Sequence, residues 1–169
     1  MCCHGHMLVV VPFTILQPTT KESLDASGWE YESVDVSDSD EAYWDVLSEL
    51  WAGGEDFAIV EQDIVVGGAL DSLASCEGEW CGCTYPYFAG WHVGLGCTKF
   101  AGSLTGRLPE VMEKVGRRGD SQHPPRHWCR LDAWLQQELQ GAGVKRCEGH
   151  PRVDHVRPDG SHSPAHGCC

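Results

Sequence analysis

The segment Phe57-Ala58-Ile59-Val60, followed at once by Glu61-Gln62-Asp63, constrains this chain more than any other stretch. Four apolar residues without alternation describe a strand buried on both faces, the kind found in parallel sheets covered by helices. Acids directly at its carboxyl end occupy the edge at which open α/β sheets bind ligands. If the chain stays extended there, Glu61 and Asp63 point to one face roughly 7 Å apart, and at an effective dielectric of about 20 they repel by about 2 kcal/mol. A divalent cation relieves that repulsion. Carboxylate oxygens suit Mg²⁺ or Mn²⁺, which sit between one or two carboxylates and the phosphates of a substrate. Without further context, acid pairs at strand ends are more often simply solvated.

The neighbouring segments alternate strand and helix, which implies a mostly parallel sheet. Residues 7–13 form a first strand that Pro12, lacking an amide hydrogen, brings to its end. A helix opens with Thr19 or Thr20 as N-cap and closes at Gly28, and residues 31–36 form a second strand. Tyr43, Trp44, Leu47, Leu50 and Trp51 recur at helical spacing over residues 41–52, and Gly53-Gly54 stops that helix. Leu70 and Leu73 mark a short helix after Gly67-Gly68. Residues 80–88 read as an irregular strand, and the glycines from Gly90 to Gly106 as backbone lying close to a ligand or a neighbouring strand. A short helix is expected over 108–115, a mobile loop over 116–125, and a strong helix carrying Trp128, Leu131, Leu135 and Leu139 up to Gly141 and Gly143. Residues 144–156, with His150 and His155, are extended. The expected organisation is a flexible N-terminus at 1–6, one domain over 7–156 and a disordered Pro/Gly/Ser/His tail at 157–169.

A chain of 169 residues is long enough to bury a core in one domain. Its net charge of −13 argues against nucleic acid or an anionic membrane surface as partner and leaves a small molecule. No segment approaches the roughly 20 apolar residues of a transmembrane span, and the apolar run at 7–11 is cut by Pro12, so the chain reads as cytoplasmic. Of ten cysteines, Cys2-Cys3 with His4 and His6, and Cys168-Cys169 with His162 and His166, crowd the two ends. Together the ends offer the donors of a small zinc-binding module, an alternative that their irregular spacing disfavours. Cys76, Cys97, Cys129 and Cys147 read as small apolar filler.

Several short motifs fall in a telling order: Val9-Val10-Val11-Pro12 in the first strand, Asp35 or Asp38 ending the second, Glu61-Gln62-Asp63, and the stretch Leu95-Gly96-Cys97-Thr98-Lys99-Phe100-Ala101-Gly102 before a helix. Leu131-Asp132 then starts a helix with Leu135, Leu139 and Gly143 behind it, and Val153-Asp154-His155 follows. This order resembles glycosyltransferases of the GT-A fold, especially the inverting family-2-like enzymes, over most of residues 7–156. The resemblance implies a single-domain α/β/α sandwich with a mostly parallel sheet. It implies a nucleotide-sugar donor bound through Pro12, Asp35, Asp38, Glu61, Gln62, Gly96 and Lys99, and Mn²⁺ or Mg²⁺ at Glu61, Asp63 and His155. Asp132 falls at the family's catalytic-base position. Glu61 stands where the family's metal motif begins with Asp, Leu131 stands where a Glu is usual, and the chain is shorter than most such enzymes.

The expected activity is therefore metal-dependent, inverting transfer of a sugar to a hydroxyl acceptor on a glycan, a protein or a small molecule. General-base assistance from Asp132 is worth about 10²–10⁴-fold in such a step. Arg117, Arg118 and Arg126 are candidates for diphosphate contact, and Trp91 and His92 for stacking on a sugar or base. A non-catalytic nucleotide-sugar-binding protein of the same fold is the alternative that the short length and Leu131 favour.

Overall fold

Val9, Val10 and Val11 pass through the middle of the molecule as strand β1 (Leu8–Phe13), and the period-2 alternation of a strand sends them to opposite sides. A computed structural model describes residues 7–87, 90–157 and 159–161, with the backbone alone at 87 and 90–92. The flexible end expected at 1–6, most of the expected tail, the terminal Cys/His groups and the side chains of Trp91 and His92 lie outside the described residues.

Strand β1 pairs in parallel with β2 (Glu32–Asp35) on one side and with β3 (Phe57–Val60) on the other. Strand β3 pairs antiparallel with β8 (Cys97–Phe100), and β8 antiparallel with β5 (Trp80–Gly82). The order is β2-β1-β3-β8-β5, so four of the five strands run one way and β8 alone is reversed. Helices cover both faces, because residues of both parities along β1 and β3 are apolar. Val10, Phe57 and Ile59 pack with α2 (Ala42–Gly53), α4 (Gly102–Arg107), α5 (Val111–Gly116) and α6 (Leu131–Gly141). Val9, Val11, Ala58 and Val60 pack with α1 (Pro18–Ser27) and α3 (Ala69–Ala74). The result is the expected single-domain α/β/α sandwich. Among the described residues no helix is long and apolar enough to cross a membrane.

Several local expectations change. Helix α1 starts with Pro18 at its first turn and Gln17 at the N-cap, while Thr20 is buried; proline's fixed φ suits that position and takes precedence over a hydroxyl cap. The glycine-rich stretch contains a central strand, β8, whose Thr98 and Lys99 are buried polar residues and therefore hide it from an apolar pattern. Residues 80–88 hold two strands, β5 and β6 (Tyr85–Tyr87), the second paired with β7 (Gly90–His92). The loop at 116–125 is pinned, because Asp120 Oδ1 accepts the Gln122 and His123 amides at 2.8 Å each and Arg118 donates to Gln137 and Glu138. The extended C-terminal segment forms β9 (Asp154–His155), antiparallel to β4 (Ile64–Val65).

Two glycines of one short helix separate packing from propensity. A Cβ on Gly102 would lie 2.2 Å from the Gly54 carbonyl oxygen, whereas one on Gly106 meets nothing within 4 Å. Gly102→Ala is expected to destabilise by about 1–3 kcal/mol and to break the bond from the Gly102 amide to Asp56 Oδ1, at 2.9 Å. Gly106→Ala is expected to stabilise by about 0.5–1 kcal/mol. Urea unfolding of the two variants checks both signs.

Candidate functional site

Strands β1, β2 and β3 end side by side at their carboxyl edge, where residues 12–14, 36–37, 39–40 and 61–63 surround a cleft of about 630 Å³. Glu61-Gln62-Asp63 does not continue as a strand. It forms a turn closed by the Ile64 amide donating to the Glu61 carbonyl at 3.1 Å. The turn is held from three further directions. The Glu61 amide donates to the Gly96 carbonyl at 2.9 Å, the Gln17 amide to the Gln62 carbonyl at 3.0 Å, and the Val156 amide to the Asp63 carbonyl at 2.7 Å. Gln62 Oε1 accepts from the amides of Thr14 and Ile15, at 2.6 and 2.9 Å, and from the Thr14 hydroxyl at 3.1 Å. Gln62 thus ties the loop after β1 to the acidic turn.

Helix α2 presents the buried Tyr43, whose hydroxyl donates to Glu61 Oε1 at 3.0 Å. Pairing of β4 with β9 sets His155 opposite Ile64, so His155 Nε2 reaches Asp63 Oδ2 at 3.1 Å while its Nδ1 is buried with no hydrogen-bond partner. The imidazole stacks on Tyr85 with ring centres 5.9 Å apart. Gly96 allows Tyr85 its position, since a Cβ there would lie 2.7 Å from the tyrosine ring. Asp132, in the first turn of α6, lies beside this group next to Leu95 and Thr98. Burial, then the charges of Asp63 and Asp132, push the Glu61 carboxyl up to about 8, against the bond from Tyr43, which favours its ionised form. Burial, then the charges of Glu61 and Asp132, hold the Tyr43 and Tyr85 hydroxyls well above their ordinary range.

The structure brings Glu61, Asp63, His155 and Asp132 together, and Pro12 and Gln62 line the cleft. It does not bring Asp35, Asp38 or Lys99 to it. Ser37 lowers the Asp35 pKa, first through its hydroxyl and then through its amide, which donates to Asp35 Oδ1 at 2.9 Å, and Asp38 is exposed outside the lining. Lys99 is 4 % exposed and points into the interior, with Nζ 2.8 Å from the Cys76 carbonyl and 3.5 Å from Asp56 Oδ2. Gly96 acts through Tyr85 rather than through backbone open to a ligand. The candidate arginines are engaged elsewhere: Arg117 with Glu113, Arg118 with Glu138, and Arg126 with Glu41 and the face of Trp44.

Tyr43, Asp40 and Trp128 line the cleft without having been singled out as ligand contacts. The helical spacing of Tyr43 and Trp128 reads as core packing. Trp128, however, lies in a 3-10 turn (Trp128–Arg130) before α6 and is 42 % exposed at the cleft. Its amide donates to the Asp40 carbonyl at 3.0 Å. Among the described residues, none lining the cleft is lysine or arginine. The donors at this turn are carboxylate oxygens and an imidazole, types that suit Mn²⁺ or Mg²⁺. Among the described residues, the ligand atoms of Glu61, Asp63 and His155 do not all lie within 4.8 Å of one another.

No protein-family model and no curated protein matches the chain. Among solved structures, A197 from STIV aligns with a TM-score of 0.50 and 13% identity, covering 97% of this chain and 97% of that one. A putative glucose-1-phosphate thymidylyltransferase from Bacillus anthracis aligns with a TM-score of 0.51 and 7% identity, covering 89% of each chain. A glycosyltransferase involved in the glycosylation of the major capsid of PBCV-1 gives a TM-score of 0.49 at 12% identity, over 86% of this chain and 80% of that one. At these identities the likeness concerns the fold. The chain has the single-domain nucleotide-diphospho-sugar transferase fold, a GT-A-like α/β/α sandwich.

Proposed function

We propose that this protein is a divalent-metal-dependent glycosyltransferase that moves a sugar from a nucleotide-sugar donor to a hydroxyl acceptor with inversion. The observation that carries this reading is the pair Glu61 and Asp63 at a 630 Å³ cleft whose described lining has no lysine or arginine, with the Asp132 charge acting on Glu61 from outside the lining. A diphosphate entering such a cleft needs a cation with it. Mn²⁺ or Mg²⁺ held by Glu61, Asp63 and His155 would supply Lewis-acid stabilisation of the diphosphate charge.

The chain's own residues have separable tasks in this reading. Trp128, at the cleft beside Pro12 and Val36, offers a flat apolar face to the nucleotide base or sugar. Tyr43 orients the Glu61 carboxylate through its 3.0 Å bond, and Gln62 keeps the turn in register with the loop after β1. Asp132 accepts the proton of the acceptor hydroxyl as that oxygen bonds to the anomeric carbon. The bond from that carbon to the diphosphate oxygen breaks, and the diphosphate leaves with the electron pair. One displacement of this kind inverts the anomeric configuration.

Nucleoside diphosphates are expected to raise the melting temperature only with Mn²⁺ or Mg²⁺ present, by the equivalent of about 2.7 kcal/mol at 100 times the dissociation constant. Asp63→Ala should abolish the shift and Glu61→Ala should weaken it. Equal shifts in EDTA would remove the cation from the proposal.

Glu61 gives the metal-free protein a pH signature. Its folded pKa of about 8 lies above the ordinary 4.5, so between those values the folded state holds a proton that the unfolded chain has lost. That stabilisation is complete below about pH 4.5 and disappears as pH rises through 8, with a slope approaching about 1.4 kcal/mol per pH unit from this group. Thermal melts in EDTA from pH 5 to pH 9 should show the decline. Glu61→Gln should flatten it, and Mn²⁺ should restore stability most at the alkaline end.

Asp132→Asn separates an enzyme from a binding protein. Donor and metal binding should stay near wild type while turnover falls by about 10²-fold or more. Full activity in that variant would move the base elsewhere. Wild-type protein that binds nucleotide sugars, yet neither transfers nor hydrolyses them, would leave the non-catalytic binding function.

A further inference from the structure

Away from the cleft lining, four donors that it does not use come together. Cys76 lies in the loop between α3 and β5 and Cys81 in β5 itself, while Cys147 and His150 lie in the segment after α6. One ligand atom from each lies within 4.8 Å of all the others. Cys76 Sγ is 3.1 Å from Cys81 Sγ and 3.3 Å from Cys147 Sγ, too long for a disulfide bond of about 2.05 Å. In a tetrahedral zinc site with bonds of about 2.3 Å, sulfur atoms lie about 3.8 Å apart, a small expansion of this group. Cys147-Glu148-Gly149-His150 also has the two-residue spacing of paired zinc ligands.

We propose that Cys76, Cys81, Cys147 and His150 form a structural Zn²⁺ site of three thiolates and one imidazole. The surroundings support it independently. His150 Nδ1 is 3.0 Å from the Ser72 hydroxyl, which fixes the ring, and its Nε2 is buried with no hydrogen-bond partner. An imidazole oriented through one nitrogen with the other left for a metal is the usual arrangement of a histidine ligand. The Gly78 amide donates to Cys76 Sγ at 3.4 Å, the kind of backbone contact that stabilises a thiolate. Gly78 also leaves the room the thiols need. A Cβ there would lie 3.0 Å from Cys147 Cβ and 3.1 Å from Cys81 Sγ.

The site also explains the buried lysine. On binding, the three thiols release their protons to solvent, and Zn²⁺ with three thiolates and a neutral imidazole has a net charge of −1. Lys99, bonded to the Cys76 carbonyl at 2.8 Å, supplies the neighbouring positive charge. Thiolates select zinc over the hard cation proposed for the acidic cleft. The site would fasten the segment that begins with the Cys147 amide donating to the Trp80 carbonyl at 2.7 Å and ends with His155 beside Asp63.

The test uses the full-length chain purified without a histidine tag from zinc-supplemented cells. One zinc per chain is expected by elemental mass spectrometry, and after exchange to Co²⁺ the thiolate charge-transfer bands and intense visible bands of a tetrahedral centre. Changing Cys2, Cys3, Cys168 and Cys169 to Ser should leave both signals intact. Cys147→Ser and His150→Ala should each lower zinc affinity by at least tenfold, Ser72→Ala by about tenfold, and His150→Cys should keep a tetrahedral cobalt spectrum. Should the first variants fail to fold, alkylation of wild type decides: chelation should expose Cys76, Cys81 and Cys147 to iodoacetamide without changing Cys129. Three results would each overturn the proposal: a folded, zinc-free wild type with these thiols already reactive, an intact mass lower by two hydrogens from a disulfide among them, or zinc that follows the terminal cysteines.

Discussion

The concentration of negative charge at the carboxyl end of β3 sets the terms for the rest of the structure. Glu61 and Asp63 share one turn, and α6 brings Asp132 close enough for its charge to act on Glu61. Burial and the charges of Asp63 and Asp132 keep a proton on Glu61 below about pH 8, and the turn holds its shape through anchors that are themselves fixed. Each anchor comes from a different part of the chain: Tyr43 from α2, Gln62 to the loop after β1, the Gly96 carbonyl from the approach to β8, and His155 from β9. Tyr43 is in turn buried with Leu47 and Trp51, so the cluster's geometry is tied to the main core. A turn held this firmly would need little rearrangement to take the cation proposed for it.

The reversed strand β8 makes this arrangement reachable. Running antiparallel between β3 and β5, it delivers its preceding loop, not its own carboxyl end, to the edge where the acids lie. Gly96 therefore meets the Glu61 amide and admits the ring of Tyr85, on which His155 stacks. A parallel strand in the same place would carry that loop to the far edge of the sheet. The reversal also puts Thr98 and Lys99 inside, where the Gly94 and Cys76 carbonyls satisfy them.

These details explain which parts could be read from the residues. Strands β1 and β3 and helix α2 were legible because their apolar runs and 3–4 spacing report burial directly. Strand β8 was not, since Thr98 and Lys99 are buried polar residues that break an apolar run, and Lys99 is satisfied by a carbonyl 23 residues away. Glu61 and Asp63 announced themselves by position, whereas Asp132 and His155 stood out only through a family-like order of motifs. Trp128 carries the spacing of a core residue, and the 3-10 turn ahead of α6 brings it to the cleft instead. The thiol cluster was the least visible, because Cys76 and Cys147 meet across 71 residues and the familiar short spacing between them joins a cysteine to a histidine.

The segment after α6 links the two donor groups and has little core of its own. Val144, Val153 and Val156 are buried, but the residues between 145 and 152 contribute no fully buried side chain. Backbone bonds from Cys147 to Trp80, Val153 to Thr84 and Val156 to Asp63 lay it along the sheet edge. An extended segment with so few apolar anchors loses considerable chain entropy on ordering, at about 1–2 kcal/mol per residue for the backbone. Hydrogen bonds contributing about 1 kcal/mol each offset only part of this. A metal joining Cys147 and His150 to Cys76 and Cys81 would therefore act on the acidic cleft from a distance: it would fix the strand that holds His155, without contributing a ligand to the cleft itself.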